Sequence, residues 1–160
     1  MNPAVQVRCI NIEQYTEERR EGHTCMIENK QYSKISSPED LQDALTQVWC
    51  AETCAPRLRD KWSSSNRSVG QCSVTAFIVQ DIFGGEVRGL TTPNGSTHCY
   101  NVIEGVVYDL TRAQFGAEAD FLVYDDNDPI QDRNSETHFG KEEKRQRYLL
   151  LKKKLEQLQE

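Results

Sequence analysis

The stretch Gly70-Gln71-Cys72-Ser73-Val74-Thr75-Ala76-Phe77-Ile78-Val79-Gln80-Asp81-Ile82-Phe83-Gly84-Gly85 decides how this chain folds. From Gln71 to Phe83, apolar residues stand at 74, 76, 77, 78, 79, 82 and 83. That is too many for a one-sided stripe, so the segment predicts a helix buried on most of its sides. Gly84-Gly85 stops it, because glycine readily takes the left-handed cap conformation. A helix buried all round needs neighbours to bury it, and the flanking chain supplies them.

Downstream, the hydrophobic period falls toward two. Val87 to Leu90, the turn Thr92-Pro93-Asn94-Gly95-Ser96, His98 to Ile103, the tight turn Glu104-Gly105 and Val106 to Leu110 read as an antiparallel meander packed on the buried helix. Upstream, Ser36-Ser37-Pro38-Glu39-Asp40 combines a capping serine, a first-turn proline and two acids. Leu41, Leu45, Val48 and Trp49 follow at three- and four-residue spacing, which predicts an amphipathic helix from Pro38 to about Cys50. A closing helix is expected from about Lys141 to Gln159, with Tyr148, Leu151, Leu155 and Leu158 as its seam and Lys152-Lys153-Lys154 on a solvated face. A lone amphipathic helix is marginal in water, so the seam is expected to dock on its own domain. Residues 1-36 form an N-terminal extension of unknown role, with a short strand around Val5 to Ile12. Residues 37-160 form a single domain of α+β class.

Size and charge narrow the partners. A chain of 160 residues holds one domain with its own core and not two sizeable ones. Nineteen Lys and Arg against 25 Asp and Glu give a net charge of −6, opposite to what a phosphate backbone attracts, so no nucleic-acid partner is expected. No apolar run approaches the roughly 20 residues that span a bilayer. Glu13, Glu17 and Glu18 lie where a signal peptide would be apolar. Neither membrane insertion nor secretion is expected; the location read from this is cytoplasmic, with the six cysteines as reduced thiols.

Two metal readings fail on their ligand patterns. Cys50 and Cys54 stand four apart, yet no Cys-x-x-Cys or His-x-His completes the four ligands zinc wants. Asp125-Asp126-Asn127-Asp128-Pro129 lacks both the sixth-position Gly and the twelfth-position Glu of a calcium loop. No metal and no cofactor are expected.

Cys72 falls in the first turn of the buried helix, where unpaired backbone N–H groups and the positive end of the helix dipole favour thiolate over thiol. A thiolate nucleophile needs a base. With a two-residue turn at Glu104-Gly105, Ile103 faces Val106, Val102 faces Val107 and Tyr100 faces Asp109. His98, Tyr100, Val102, Val107, Asp109 and Thr111 then share one side of the sheet. Asp109 becomes a diagonal neighbour of His98, within reach of an imidazole N–H, which makes Cys72, His98 and Asp109 a candidate triad. The plainer reading is a small buried thiol beside an unrelated histidine. His23 and His138 compete as base, but no hairpin places a carboxylate beside either. The oxyanion donors expected are the Cys72 backbone N–H and a side-chain amide from Asn66 or Gln71. Asn66 is preferred, because it can swing over the sulfur from a loop while a helix neighbour of Cys72 points about 100° away. Trp62 and Trp49 either line a cleft or fill the core.

Arg59-Asp60-Lys61-Trp62, Asn66, Gly70-Gln71-Cys72, Thr75-Ala76, Gln80 to Glu86, His98 with Asn101, Asp109-Leu110-Thr111 and Gln114-Phe115 together resemble the bacterial YunG-like proteins. The resemblance covers about Leu41 to Phe115, and Arg147 to Leu151 looks like the family's closing helix. It implies a papain-like or transglutaminase-like core in which a helix-borne Cys72 faces His98 and Asp109 on a sheet. The departures are the segment before Ser36 and Cys99, which follows His98 where an aromatic is expected. Residues and resemblance together point to a cysteine hydrolase or acyl transferase acting on an amide or thioester, with a peptide or other amide as substrate. The alternative is a non-enzymatic binding or assembly domain on the same fold, and the weakest is a redox or metal sensor using Cys50 and Cys54.

Overall fold

The computed structural model describes residues 32–160 and the strand Arg8–Ile10. In chain order the elements are β1 (Arg8–Ile10), α1 (Pro38–Val48), a 3-10 helix (Pro56–Lys61), α2 (Cys72–Phe83), β2 (Glu86–Thr91), β3 (Thr97–Ile103), β4 (Val106–Tyr108), a 3-10 segment kinked at Gly116 (Arg112–Phe121) and α3 (Glu142–Leu158). His23, Cys25 and the charged stretch Glu17 to Glu21 lie outside the described residues.

Local chemistry sets the element ends. α1 starts in a capping box: the Ser37 hydroxyl accepts from the Asp40 N–H at 3.2 Å, and the Asp40 carboxylate accepts from the Ser37 N–H at 3.1 Å. α1 stops at Val48, two residues short of the expected end, because Trp49 turns to ψ 131°. That turn drops the indole into the core, where Nε1 donates to Thr75 Oγ1 at 3.0 Å. The β3–β4 turn uses Glu104 at φ 51° and Gly105 at φ 79°, the pair of positive φ values that matches strand twist in a two-residue hairpin. It holds the register expected from sequence, Val102 opposite Val107 and Ile103 opposite Val106.

The strands run β1-β4-β3-β2, with β2, β3 and β4 an antiparallel meander. β1 lies parallel to β4, which corrects the purely antiparallel sheet expected. Parallel neighbours need a long crossover, and the chain from β1 to β4 includes α1, α2 and the rest of the sheet. The free edge of β2 is closed by the chain at 129–131, where the Gly89 N–H donates to Pro129 O at 3.0 Å and the Gln131 N–H to Val87 O at 2.8 Å. The acidic loop before that segment is held by protein donors. Asp128 accepts from the Tyr100 hydroxyl at 2.7 Å and the Asp125 N–H at 3.1 Å.

Alternation along β3 divides the core in two. Cys99 and Ile103 belong with α2, α1 and α3, whereas Tyr100 packs on the opposite face with Leu90, Val107, Leu122 and Tyr124. α2 is the centre of the larger cluster, with Val74, Phe77, Ile78 and Val79 fully buried. Each such side chain contributes roughly 1.5–3 kcal/mol of burial. The Asn101 amide, aimed at the same side, donates to Ala76 O at 2.8 Å and pins α2 along β3. α3 packs on α1 and α2 through Tyr148, Leu151 and Leu155, so the seam docks within its own domain. The core also begins earlier than residue 37: Tyr32 and Ile35 are buried in it, and the Lys34 N–H donates to Gln159 Oε1 at 3.0 Å. The segment before α1 is thus partly built into the domain instead of being a detached extension. No helix among the described residues is long and apolar enough to cross a membrane.

Candidate active site

Gly70 makes the approach to Cys72 possible. Its φ of 69° favours glycine, and a Cβ there would lie 2.5 Å from Cys54 Sγ and 2.9 Å from the Ala55 nitrogen. Gly70 O accepts from the Ala55 N–H at 2.9 Å, so the chain turns hard against the 50–55 loop and then starts α2. Gln71 is the residue before the helix. It is fully buried, and its Nε2 donates to Cys50 O at 3.0 Å, which ties the helix start to the end of α1 and turns the amide away from Cys72. Cys72 is the first residue of α2, as expected.

β3 brings the other groups. His98 Nε2 lies 2.7 Å from Asp109 Oδ2, and both side chains are 2 % exposed. Asp109 sits just past β4, at the diagonal position expected from the hairpin register. Its Oδ2 also accepts from the Tyr124 hydroxyl at 2.7 Å, and its Oδ1 accepts from the Thr111 N–H at 3.2 Å. Arg112 in turn donates to the Tyr124 hydroxyl at 3.0 Å. With donors on both of its oxygens, the carboxylate is fixed in place. Phe115 stands edge-on to the His98 ring, centroids 4.8 Å apart at 90°, and fixes its plane. The other ring nitrogen, Nδ1, is buried with no hydrogen-bond partner among the described residues, and Cys72 is near enough to act on the ring electrostatically.

The electrostatics follow from these contacts. Burial alone would push the His98 pKa down, but the charge of Asp109, its hydrogen bond and the neighbouring Cys72 carry it up to about 10. Cys72 moves the other way, well below the usual thiol value. The Cys99 thiol hydrogen-bonds its sulfur and, against the cost of burial, the neighbouring His98 imidazolium stabilises the thiolate. Cys99 is correspondingly raised, by donating to Cys72 and by burial. Both shifts favour the thiolate–imidazolium form of the pair over the neutral one. The cysteine that replaces the expected aromatic at 99 is thus part of the site.

These groups open onto a cavity of about 640 Å³ whose wall includes Asn66, Cys72, His98, Cys99, Gln114 and Phe115. Asn66 reaches the wall from a loop, with Nδ2 donating to Gln114 O at 3.2 Å. Trp62 is not on that wall. Half-buried, it donates Nε1 to Arg67 O at 2.9 Å and braces the loop that carries Asn66, while Trp49 is core. Gln71, the alternative oxyanion donor, and Trp62, the cleft candidate, therefore both stand behind the wall, which corrects those two expectations.

Several contributors carried no sequence signal of their own. Tyr124 lies in an irregular segment 15 residues after the carboxylate it supports. Gln114 and Phe115 stood in the family-like pattern without a role. Gln114 Oε1 accepts from the Gly70 N–H at 3.4 Å, and its Nε2 is buried without a partner beside the cavity. His138 is also on the wall, buried against Phe77. Its Nε2 bonds Gln131 Oε1 at 2.9 Å and its Nδ1 faces Lys144 Nζ at 3.2 Å. Burial first and Lys144 second push its pKa down to about 4, which leaves it neutral. Among the described residues no three His, Cys, Asp or Glu side chains converge as metal ligands.

Fold and site define a single-sheet α+β domain with a half-buried thiol and a buried imidazole on one cavity and a buried carboxylate bonded to the imidazole. The family described as YunG protein matches residues 37–160, and the chain belongs to it. It is 40 % identical over 83 residues to a protein of Bacillus subtilis (strain 168) described as "Uncharacterized protein YunG", covering 52 % of this chain and 67 % of that one. No solved structure matches it significantly.

Proposed function

We propose that this protein is a cysteine hydrolase or acyl transferase with a papain-like core, and that Cys72, His98 and Asp109 are its catalytic triad. The reading is carried by one observation: a histidine bonded through Nε2 to a buried carboxylate with donors on both oxygens, with Nδ1 unbonded among the described residues and a helix-start cysteine as its other electrostatic partner. A binding module has no use for that arrangement. The Cys72 thiolate attacks an amide or thioester carbonyl, forming the C–S bond as the carbonyl π pair moves to oxygen. The backbone N–H of Cys72, without an intrahelical acceptor at its position, and the Asn66 amide receive that oxyanion. His98 then gives its proton to the leaving nitrogen or sulfur as the C–N or C–S bond breaks. In the second half His98 takes a proton from water or an acceptor nucleophile that attacks the acyl-enzyme and expels the thiolate. Asp109 keeps the imidazole oriented throughout.

The test is the order in which the thiols react with iodoacetamide near pH 6, mapped by peptide mass spectrometry. A lowered pKa raises the thiolate fraction at low pH, and raised pKa values do the opposite. Cys72 should therefore react well ahead of Cys99, which its neighbours and burial raise, and Cys54, which burial raises. First reaction at Cys50, Cys54 or Cys99 overturns the assignment of the nucleophile.

A further inference from the structure

The cavity is charged against the chain that forms it. The protein carries six more acids than bases, yet Arg57, Lys61, Lys141, Lys144 and Arg147 line this cavity and Glu143 is the one carboxylate among its described lining residues. Glu143 is already engaged by Arg147 Nε. That leaves Arg57, Lys61, Lys141 and Lys144, none of which forms an ion pair among the described residues. They come from two separate parts of the chain, the Pro56–Lys61 helix and the start of α3, so the charge is not the solvated face of one helix.

Lys144 is the best placed of the four. It is half-buried, and its ammonium donates to Thr137 O at 2.7 Å and to His138 Nδ1 at 3.2 Å. Both partners are neutral acceptors that orient the group without cancelling its charge, and its field reaches Cys72 and Cys99. A half-buried ammonium with neutral partners gains more from an incoming anion than one exposed to water, since screening is weaker there.

We infer that the substrate of this site carries a carboxylate close to the carbonyl that Cys72 attacks, with Lys144 and Lys141 receiving it and Arg57 and Lys61 adding to the field. The inference rests on Cys72 being the nucleophile as proposed above and adds the substrate's charge to that reading.

Iodoacetate and iodoacetamide test it, since they differ in carrying a carboxylate or an amide. In both reactions the thiolate forms a C–S bond to the methylene carbon as the C–I bond breaks and iodide leaves. The quantity read is the ratio of the two rates at Cys72 in the full-length protein, against the same ratio for that cysteine in the urea-unfolded chain. The folded ratio should favour iodoacetate by about tenfold more at low ionic strength, shrink as salt rises through the Debye-screening range, and fall several-fold in Lys144→Gln and in Lys141→Gln. Lys141 is exposed, so its variant stays informative if Lys144→Gln folds poorly. A folded ratio equal to the unfolded one, or a ratio that neither variant lowers, overturns the inference: in the second case the His98 imidazolium alone is attracting the anion. Failure of the underlying reading looks different, because Cys72 would then react no faster with either reagent than it does unfolded.

Discussion

Two histidines line the same cavity, both at least 97 % buried by exposed area, and they end with opposite charges. His98 is 2 % exposed and held charged, with its pKa up at about 10; His138 is 3 % exposed and neutral, with its pKa down at about 4. Burial acts on both in the same direction, against the imidazolium. The difference lies in the second partner. His98 bonds a carboxylate that Tyr124 and Thr111 hold in place, whereas His138 is set between a neutral amide and an ammonium. Charge at a buried imidazole is therefore decided by the group on its far nitrogen. It also separates the two rings within one wall: one is paired with a carboxylate, and the other meets a lysine.

Asp109→Asn should break the contrast most severely. Without the anion the imidazolium loses its largest support, so the His98 pKa falls, and the Cys72 thiolate, deprived of its cation, returns toward the ordinary thiol value. Alkylation of Cys72 at pH 6 is expected to drop on the order of a hundredfold or more, by comparison with other triads. NMR titration of His98 beside alkylation rates checks it; an unshifted His98 would mean that the pair is not coupled in solution.

The reverse exchange should make His138 behave like His98. Gln131→Glu puts a carboxylate on Nε2, and its pKa should climb from about 4 by roughly 1–3 units, again read by NMR. The wild-type value lies below the 6.5 of an unfolded histidine, so the unfolded chain binds more protons between about 4 and 6.5. His138 therefore contributes stability that is present above pH 6.5 and lost as pH falls through about 4. In Gln131→Glu that acid-labile contribution should shrink, measured as a weaker dependence of melting temperature on pH over the same window.

The mildest change in reactivity is expected from Tyr124→Phe. It removes one donor to Asp109 while leaving the bond to His98, so the His98 pKa should stay high. Cys72 alkylation should change by no more than a few-fold, while stability falls by about 1.5–3 kcal/mol for a lost hydrogen bond to a charged group. A hundredfold loss of reactivity would instead make Tyr124 a direct participant.

Much of the frame of this site lay in local patterns. The apolar saturation of 74–83 and the double glycine after it marked the buried helix, and the serine-proline-acid run marked the start of α1. The Glu104-Gly105 turn set a register from which the His98–Asp109 pairing followed, since side chains alternate along a strand whatever the rest of the chain does. Less was visible wherever a contact crossed long stretches of chain. The parallel seat of β1 on β4, the burial of Tyr32 and Ile35, and the support of Asp109 by Tyr124 have no periodic signature.

The sequence by itself determined that Cys72 begins a helix and that His98 and Asp109 share a sheet face, because helix capping, hydrophobic period and strand alternation act over a few neighbouring residues. Only the tertiary structure decided that Gln71 and Trp62 stand behind the wall, that Cys99 meets Cys72, that His138 is neutral, and that four cations without an ion pair among the described residues line one cavity of an acidic protein. Those outcomes depend on which distant groups meet in low dielectric, and no short-range pattern in the chain encodes that meeting.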